Sequence, residues 1–247
     1  MANLTRRRRA GTTLETIADG VHRIALGFVS AYLIESDDGT VLIDCGEHRH
    51  GPKITAGLST LGRAVGEIRH ILVTHHHPDH TGCLAELART SGAPVYVHAA
   101  DAPFVEGVRA WSGYNRASIA GRLLGPLLVG FQPDRPASTV VDHHLVDGDR
   151  LAIAGGITVV HTPGHTPGHT AFLLPRDGGV LIAGDAATNL GRVRSAGHWL
   201  TITTDDLRAA TASFERLAAL DFEIAVFGHG APLRRGASAQ FRRATGH

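Results

Sequence analysis

Thr74-His75-His76-His77-Pro78-Asp79-His80 is the stretch that decides how this chain reads. Four side chains able to bind a metal ion, His75, His77, Asp79 and His80, sit within six residues. They follow the apolar run Ile71-Leu72-Val73, which reads as a buried strand. A strand that ends in a polar loop projects its last side chains beyond the sheet edge. Side chains repeat every two residues in extended chain, so His75 and His77 point the same way. Pro78 has no N–H to give to a ladder, so it turns the chain, and Asp79 and His80 approach from another direction. Two pairs of ligands then face one space. That is too many for one tetrahedral ion with an open position and about right for halves of two adjacent sites.

The flanking sequence supplies a scaffold for such a loop. Residues 21–44 read as a β-meander, with Asp37-Asp38-Gly39 as a hairpin turn and Asp44-Cys45-Gly46 as the closing corner. Pro52 opens a helix over 52–62, and a second helix is expected from about 79 to 89. With a strand at 94–98, this strand–turn–helix–strand order predicts layered α/β architecture. A strand at 157–161 leads into His161-Thr162-Pro163-Gly164-His165-Thr166-Pro167-Gly168-His169, whose two Pro-Gly pairs force a tight loop. The apolar run Val180-Leu181-Ile182-Ala183 is closed by Gly184-Asp185. A last strand at 222–227 delivers Gly228-His229-Gly230, and the basic tail from Pro232 reads as helical. Between them, 203–220 reads as a helix capped by Thr203 or Thr204 ahead of Asp205-Asp206.

The H-x-H-x-D-H spacing after an apolar strand, taken with these later loops, resembles the metallo-β-lactamase superfamily over residues 20 to about 235. The resemblance implies an α/β fold, a four-layer αββα sandwich of two similar halves with metals at one sheet edge. It implies that His75, His77 and His165 hold a first metal, that Asp79, His80 and His229 hold a second, and that Asp185 bridges both. Asp44 would hold the metal loop by hydrogen bonds. His169 would support the ligands, as would His161. The implied cofactors are two Zn2+. A nitrogen and carboxylate set without thiolate also suits iron or manganese.

Two adjacent cations can share one water and bring its pKa towards neutrality. The expected function is therefore a dinuclear zinc-dependent hydrolase using a metal-bridging hydroxide to cleave a small ester, lactone or thioester. Asp79 or Asp185 would orient the hydroxide or shuttle its proton. Asp185 argues against a β-lactamase-like amide hydrolase. Only 18 residues follow His229, so the C-terminal glutathione-binding domain of glyoxalase II-like members is not expected. Thr188 stands where several lactonases of the family carry tyrosine. The alternatives are an iron-dependent sulfur dioxygenase of the same superfamily and a non-catalytic metal-binding module. The complete ligand set, with Asp79 and Asp185 retained, disfavours both.

Composition narrows the partners. Hydrophobic residues make up 43% and charged residues 19%, an ordinary balance for a globular protein, while 17 histidines exceed structural need. A net charge of +1 gives no global field, so a small-molecule substrate is expected and nucleic acid is not. No apolar run is long enough to span a membrane. Arg6-Arg7-Arg8-Arg9 is not followed by a signal-peptide core, so a cytoplasmic location is expected. Residues 1–19 read as a flexible basic arm and 20–247 as one domain. Cys45 and Cys83 make no disulfide framework and read as reduced thiols, Cys83 as a small packed residue. His48 and His50 read as surface or rim residues, His98 as no ligand, and His143 and His144 as solvated. Residues 104–136 interrupt the rhythm with apolar side chains among glycines, arginines and prolines. They read either as a core helix pair or as a cap over the site, and their apolar groups could also serve a homodimer. Trp111, Tyr114, Phe131, His198 and Trp199 are candidate pocket walls.

Overall fold

The computed structural model describes residues 14–37, 39–111, 113–115, 119, 122–124, 136–199 and 201–246, with the side chain of Trp199 also left aside. Seven strands form one sheet: β1 (Leu14–Ala18), β2 (Val21–Ala25), β3 (Ser30–Ser36), β4 (Gly39–Ile43), β5 (Ile68–Leu72), β6 (Val95–His98) and β7 (His143–Leu145), side by side in chain order. The first three junctions are antiparallel and the last three parallel. The second sheet takes β8 (Arg150–Leu151), β9 (Ile157–His161), β10 (Thr170–Leu174), β11 (Val180–Ile182) and β14 (Ile224–Val226) in the order β14-β11-β10-β9-β8. Only β11 and β14 pair in parallel there. A separate ribbon pairs β12 (Ala187–Asn189) with β13 (Val193–Ser195).

Strand alternation explains the layering. Val41 and Ile43 pack between the sheets with Val180, Ile182, Ile224 and Val226. Leu42 points the other way, into a core with Ile54 and Leu58 of α1 (Gly51–Thr60) and Leu84 and Leu87 of α3 (Leu84–Ser91). Leu181 and Ala225 of the second sheet likewise face Phe214 and Leu217 of α6 (Leu207–Ala218) and Phe241 of α7 (Ala237–Ala244). Strands apolar on both faces must be covered on both. The three cores are the three interfaces of the expected αββα sandwich.

Several boundaries differ from the sequence expectation. Leu14–Ala18 is not part of an arm; it pairs with β2 because Ile17 and Ala18 bury between the sheets. The arginines at 6–9 lie outside the described residues. The helix expected over 79–89 is two: α2 (Pro78–Thr81) and α3. The break is at Gly82, whose N–H leaves the helix and donates to Gly46 O at 2.7 Å. A Cβ there would collide with the backbone of Glu47 and His48. His50 is buried, not at the rim. Its Nδ1 accepts the Glu47 N–H, and its carbonyl accepts those of Lys53 and Ile54 to start α1. Asp206, not Thr203 or Thr204, caps α6, accepting from the N–H groups of Arg208 and Ala209, a contact worth about 1 kcal/mol. Much of 104–136 lies outside the described residues; within it, α4 (Ala102–Val105) covers the start. Among the described residues no helix is long and apolar enough to cross a membrane.

Candidate metal centre

The strands discharge their functional residues at one edge. The loop after β5 carries His75 to His80. The β9–β10 loop carries His165, the residues after β11 carry Asp185, and those after β14 carry His229. Carboxyl ends of parallel strands are where open α/β sheets form sites. Two clips align the sheets there. Thr170 N donates to Thr74 O at 2.8 Å, and Ser30 N donates to Gly228 O at 2.9 Å. The buried Tyr32 hydroxyl donates to Phe227 O at 2.6 Å, just ahead of His229. Gly228 has no side chain for a steric reason: a Cβ would collide with the Asp185 carboxylate.

Ligand-capable atoms of His75, His77 and His165 lie within 4.8 Å of one another, as do those of Asp79, His80 and His229. Asp185 sits between the groups. Its Oδ2 is 3.3 Å from His165 Nε2 and 3.2 Å from His229 Nε2, and its Oδ1 is 3.6 Å from His80 Nε2. Asp79 Oδ2 lies 3.4 Å from His229 Nε2 and 3.7 Å from His80 Nε2.

Hydrogen bonds on the far side of the rings set which nitrogen faces inward. Asp44 lies in the left-handed region (φ 59°). It accepts from Thr74 N, Thr74 Oγ1 and His80 Nδ1, each at 2.8 Å. Having given its proton to Asp44, the Thr74 hydroxyl accepts from His75 Nδ1 at 3.0 Å. His229 Nδ1 donates to Phe28 O at 2.9 Å. His165 Nδ1 meets the Thr204 hydroxyl at 3.0 Å. The result is a set of inward, buried Nε2 atoms on His75, His80 and His165, which, like His77 Nε2 and Asp185 Oδ1, have no hydrogen-bond partner. Buried polar atoms are rarely left so. Four orphaned imidazole nitrogens beside carboxylates fit a divalent cation, and no thiolate is among them.

The charges agree. Burial pushes His75 and His77 well below the ordinary imidazole range, leaving neutral lone pairs. Burial also takes His165 down to about 4, against the pull of Asp185. At His229 burial opposes charge, but Asp185 and Asp79 outweigh it and push the group up to about 11. His80 is likewise raised to about 9, by Asp185, Asp79 and Asp44 against burial. Burial raises the Asp185 carboxyl, yet His229 and His80 hold it well below the usual range. In the absence of cations, protons on His80 and His229 balance the carboxylates, and a metal would displace them.

The metallo-beta-lactamase superfamily model matches residues 24–229. The chain belongs to that superfamily. A probable metallo-hydrolase, YflN of Bacillus subtilis, is 30% identical over 243 residues, covering 91% of this chain and 89% of its own. A hydroxyacylglutathione hydrolase of Marinomonas is 30% identical over 131 residues, 52% of this chain and 37% of that protein. The fold is that of BJP-1, a subclass B3 metallo-beta-lactamase of Bradyrhizobium japonicum. Its TM-score is 0.70 at 22% identity, covering 96% of this chain and 92% of that one. The protein is accordingly a metallo-hydrolase of this superfamily, with a candidate His/Asp metal cluster.

Within that family frame, His169 takes the supporting place expected of it, while some other expected residues fall elsewhere. His169 turns its Nε2 to accept the Asp185 N–H at 2.9 Å, so it positions Asp185 and has no lone pair for a metal there. His161 bonds Pro167 O and stacks on His98, 4.0 Å between centroids. Trp111 does reach the cluster, with its ring 4.6 Å from that of His77. Tyr114 lies next to Asn115, which ties this segment to Ile202, Thr204 and Asp205. His198 is not a wall of the cluster. It is exposed on α5 (Ala196–Trp199) and lines a cleft with Arg192, Arg194, Phe214 and Arg243, which contains none of the seven clustered residues. Phe131 and the Trp199 side chain lie outside the described residues.

Three contributors were not foreseen. Phe28, 66% exposed, sets its ring 4.5 Å from that of His229. Asp101 is buried and accepts from His76 N, Thr166 Oγ1 and Gly168 N, joining the two ligand loops. Thr204, read as a helix cap, is instead buried against His165. Thr204→Val is expected to weaken metal binding 10–100-fold, roughly the usual effect of losing an outer partner, with the far-ultraviolet dichroism unchanged. Competition with a chromophoric chelator measures this, and unaltered affinity would refute the orienting role.

Proposed function

We propose that the protein is a dinuclear zinc-dependent hydrolase that cleaves a small ester, lactone or thioester. The carrying observation is the convergence of six side chains, four of them with orphaned inward nitrogens, on the two faces of Asp185. His75, His77 and His165 would hold one ion, Asp79, His80 and His229 the other, and Asp185 both. Bound there, the pair would supply Lewis acidity and a water acidified towards neutral pH.

The chain's own groups do the rest. Asp79 is the most open of the set, its side chain 26% exposed against 0–4% for its neighbours His80, Asp185 and His229. Its Oδ2 is therefore placed to take the proton of the attacking water and return it to the leaving oxygen or sulfur. Asp185, walled by three imidazoles and the Gly228 backbone, stays ionised and fixed. Trp111 beside His77 and Phe28 beside His229 supply apolar walls that exclude bulk water from the carbonyl. No serine, cysteine or lysine nucleophile is required. Cys45 and Cys83 are buried and unpaired, and burial pushes both thiols up. The partial likeness to a hydrolase named for hydroxyacylglutathione supports keeping thioesters in the substrate class.

Acid release over lactones, carboxylate esters, thioesters and phosphodiesters tests the reading. Zinc-loaded protein should turn over one of the first three classes. Chelation and Asp79→Ala should each abolish that turnover, and added zinc should restore only the chelated protein. Turnover of phosphodiesters alone, or of nothing with zinc bound, would contradict it.

A further inference from the structure

The Thr204 hydroxyl reaches His165 Nδ1 only while the Thr204 backbone is held in place, because a hydrogen bond weakens steeply with misalignment. The backbone around Thr204 is held from two opposite sides. On one side the Asp205 N–H donates to His165 O at 3.2 Å, and the Asp206 N–H donates to Gly164 O at 2.9 Å. On the other stands Asn115, which is only 7% exposed. Its Nδ2 donates to Thr204 O at 2.6 Å, with Asp205 O a second acceptor at 3.4 Å. Its backbone N–H donates to Ile202 O at 2.6 Å. One asparagine therefore fastens carbonyls before and after the Thr204 Cα. The Thr204–Asp205 peptide is trans, so its C=O and N–H point in opposite directions, one to Asn115 and the other to the loop of His165. Four residues before Asn115, Trp111 sets its ring 4.6 Å from that of His77. His77 and His165 belong to the same group of three ligand-capable histidines.

We propose that Asn115 is a positioning residue for the ion assigned to His75, His77 and His165. It holds Thr204 so that the hydroxyl takes the His165 Nδ1 proton and the ring presents Nε2 inward. It acts through Thr204 and ties the segment that carries Trp111 to this half of the site. The proposal rests on the reading of His165 as a metal ligand. The other half has separate supports: His80 Nδ1 leans on Asp44 and His229 Nδ1 on Phe28 O. The effect of losing Asn115 therefore falls on one ion.

The test is a double-mutant cycle on full-length protein loaded with zinc, read by competition with a chromophoric chelator. Asn115→Leu nearly keeps the volume and removes the side-chain donor. It should weaken one of the two ions about three- to tenfold, less than the roughly 10–100-fold expected for Thr204→Val. Combined with Thr204→Val it should add nothing to the loss from Thr204→Val alone, because the asparagine then has no hydroxyl to position. If the leucine variant does not fold, Asn115→Ala takes its place in the cycle. Losses that multiply, equal weakening of both ions, or unaltered affinity in the Asn115 variant would overturn the proposal. Failure of the metal-ligand reading looks different, since Thr204→Val would then also leave zinc affinity unchanged. The cycle needs no turnover, so it stands apart from the identity of the substrate.

Discussion

Asp185→Asn is expected to lower kcat/KM more than a hundredfold and to reduce the number of metal ions held. Asparagine keeps the volume and one carbonyl oxygen but removes the negative charge between His80, His165 and His229. Both proposed ions depend on that carboxylate, whereas an outer partner serves one ligand and typically costs about 10–100-fold. A hundredfold loss corresponds to about 2.7 kcal/mol of transition-state stabilisation. The fold should survive, because the backbone N–H of residue 185 still donates to His169 Nε2. Steady-state kinetics with metal analysis of the same sample checks this. Activity within tenfold of the unaltered protein would remove Asp185 from the centre of the site.

Asp44→Ala should be the most destabilising single change near the site, by about 3–5 kcal/mol in urea unfolding. Asp44 is 1% exposed and its carboxylate takes three donors, from Thr74 N, Thr74 Oγ1 and His80 Nδ1. Alanine leaves all three buried without an acceptor. It also places an ordinary Cβ residue at φ 59°, which costs about 1–2 kcal/mol. Asp44→Asn separates the two effects, since asparagine tolerates the left-handed region and keeps one acceptor. It should unfold closer to the unaltered protein yet bind metal more weakly, because both His75, through Thr74, and His80 lose their orientation. An alanine variant as stable as the unaltered protein would refute this account of the corner.

Much of this architecture is legible in the chain because its signals are local. Val41-Leu42-Ile43 and Val180-Leu181-Ile182 are apolar on both faces, which only a doubly covered sheet tolerates. The residues of the 75–80 loop are neighbours in sequence as well as in space. His165, Asp185 and His229 stand out through the resemblance of their loops. What stayed hidden depends on contacts across long separations. Thr204 meets His165 from 39 residues away, and Phe28 meets His229 from 201. A threonine ahead of two aspartates looks like a helix cap whether or not a histidine lies behind it. Asp101 reaches Gly168 across 67 residues and carries no motif of its own. Gly82 looks like an ordinary helical position until Glu47 and His48 are packed against it. His198 misled because its place depends on α5, which packs chiefly on α6 and leaves it in a different cleft.

The most direct test of the central claim is anomalous diffraction at the zinc edge from crystals of zinc-loaded protein. The account predicts two peaks, one among His75, His77 and His165 and one among Asp79, His80 and His229, with Asp185 contacting both. A single peak, or zinc only at surface histidines such as His48 and His143, would contradict it.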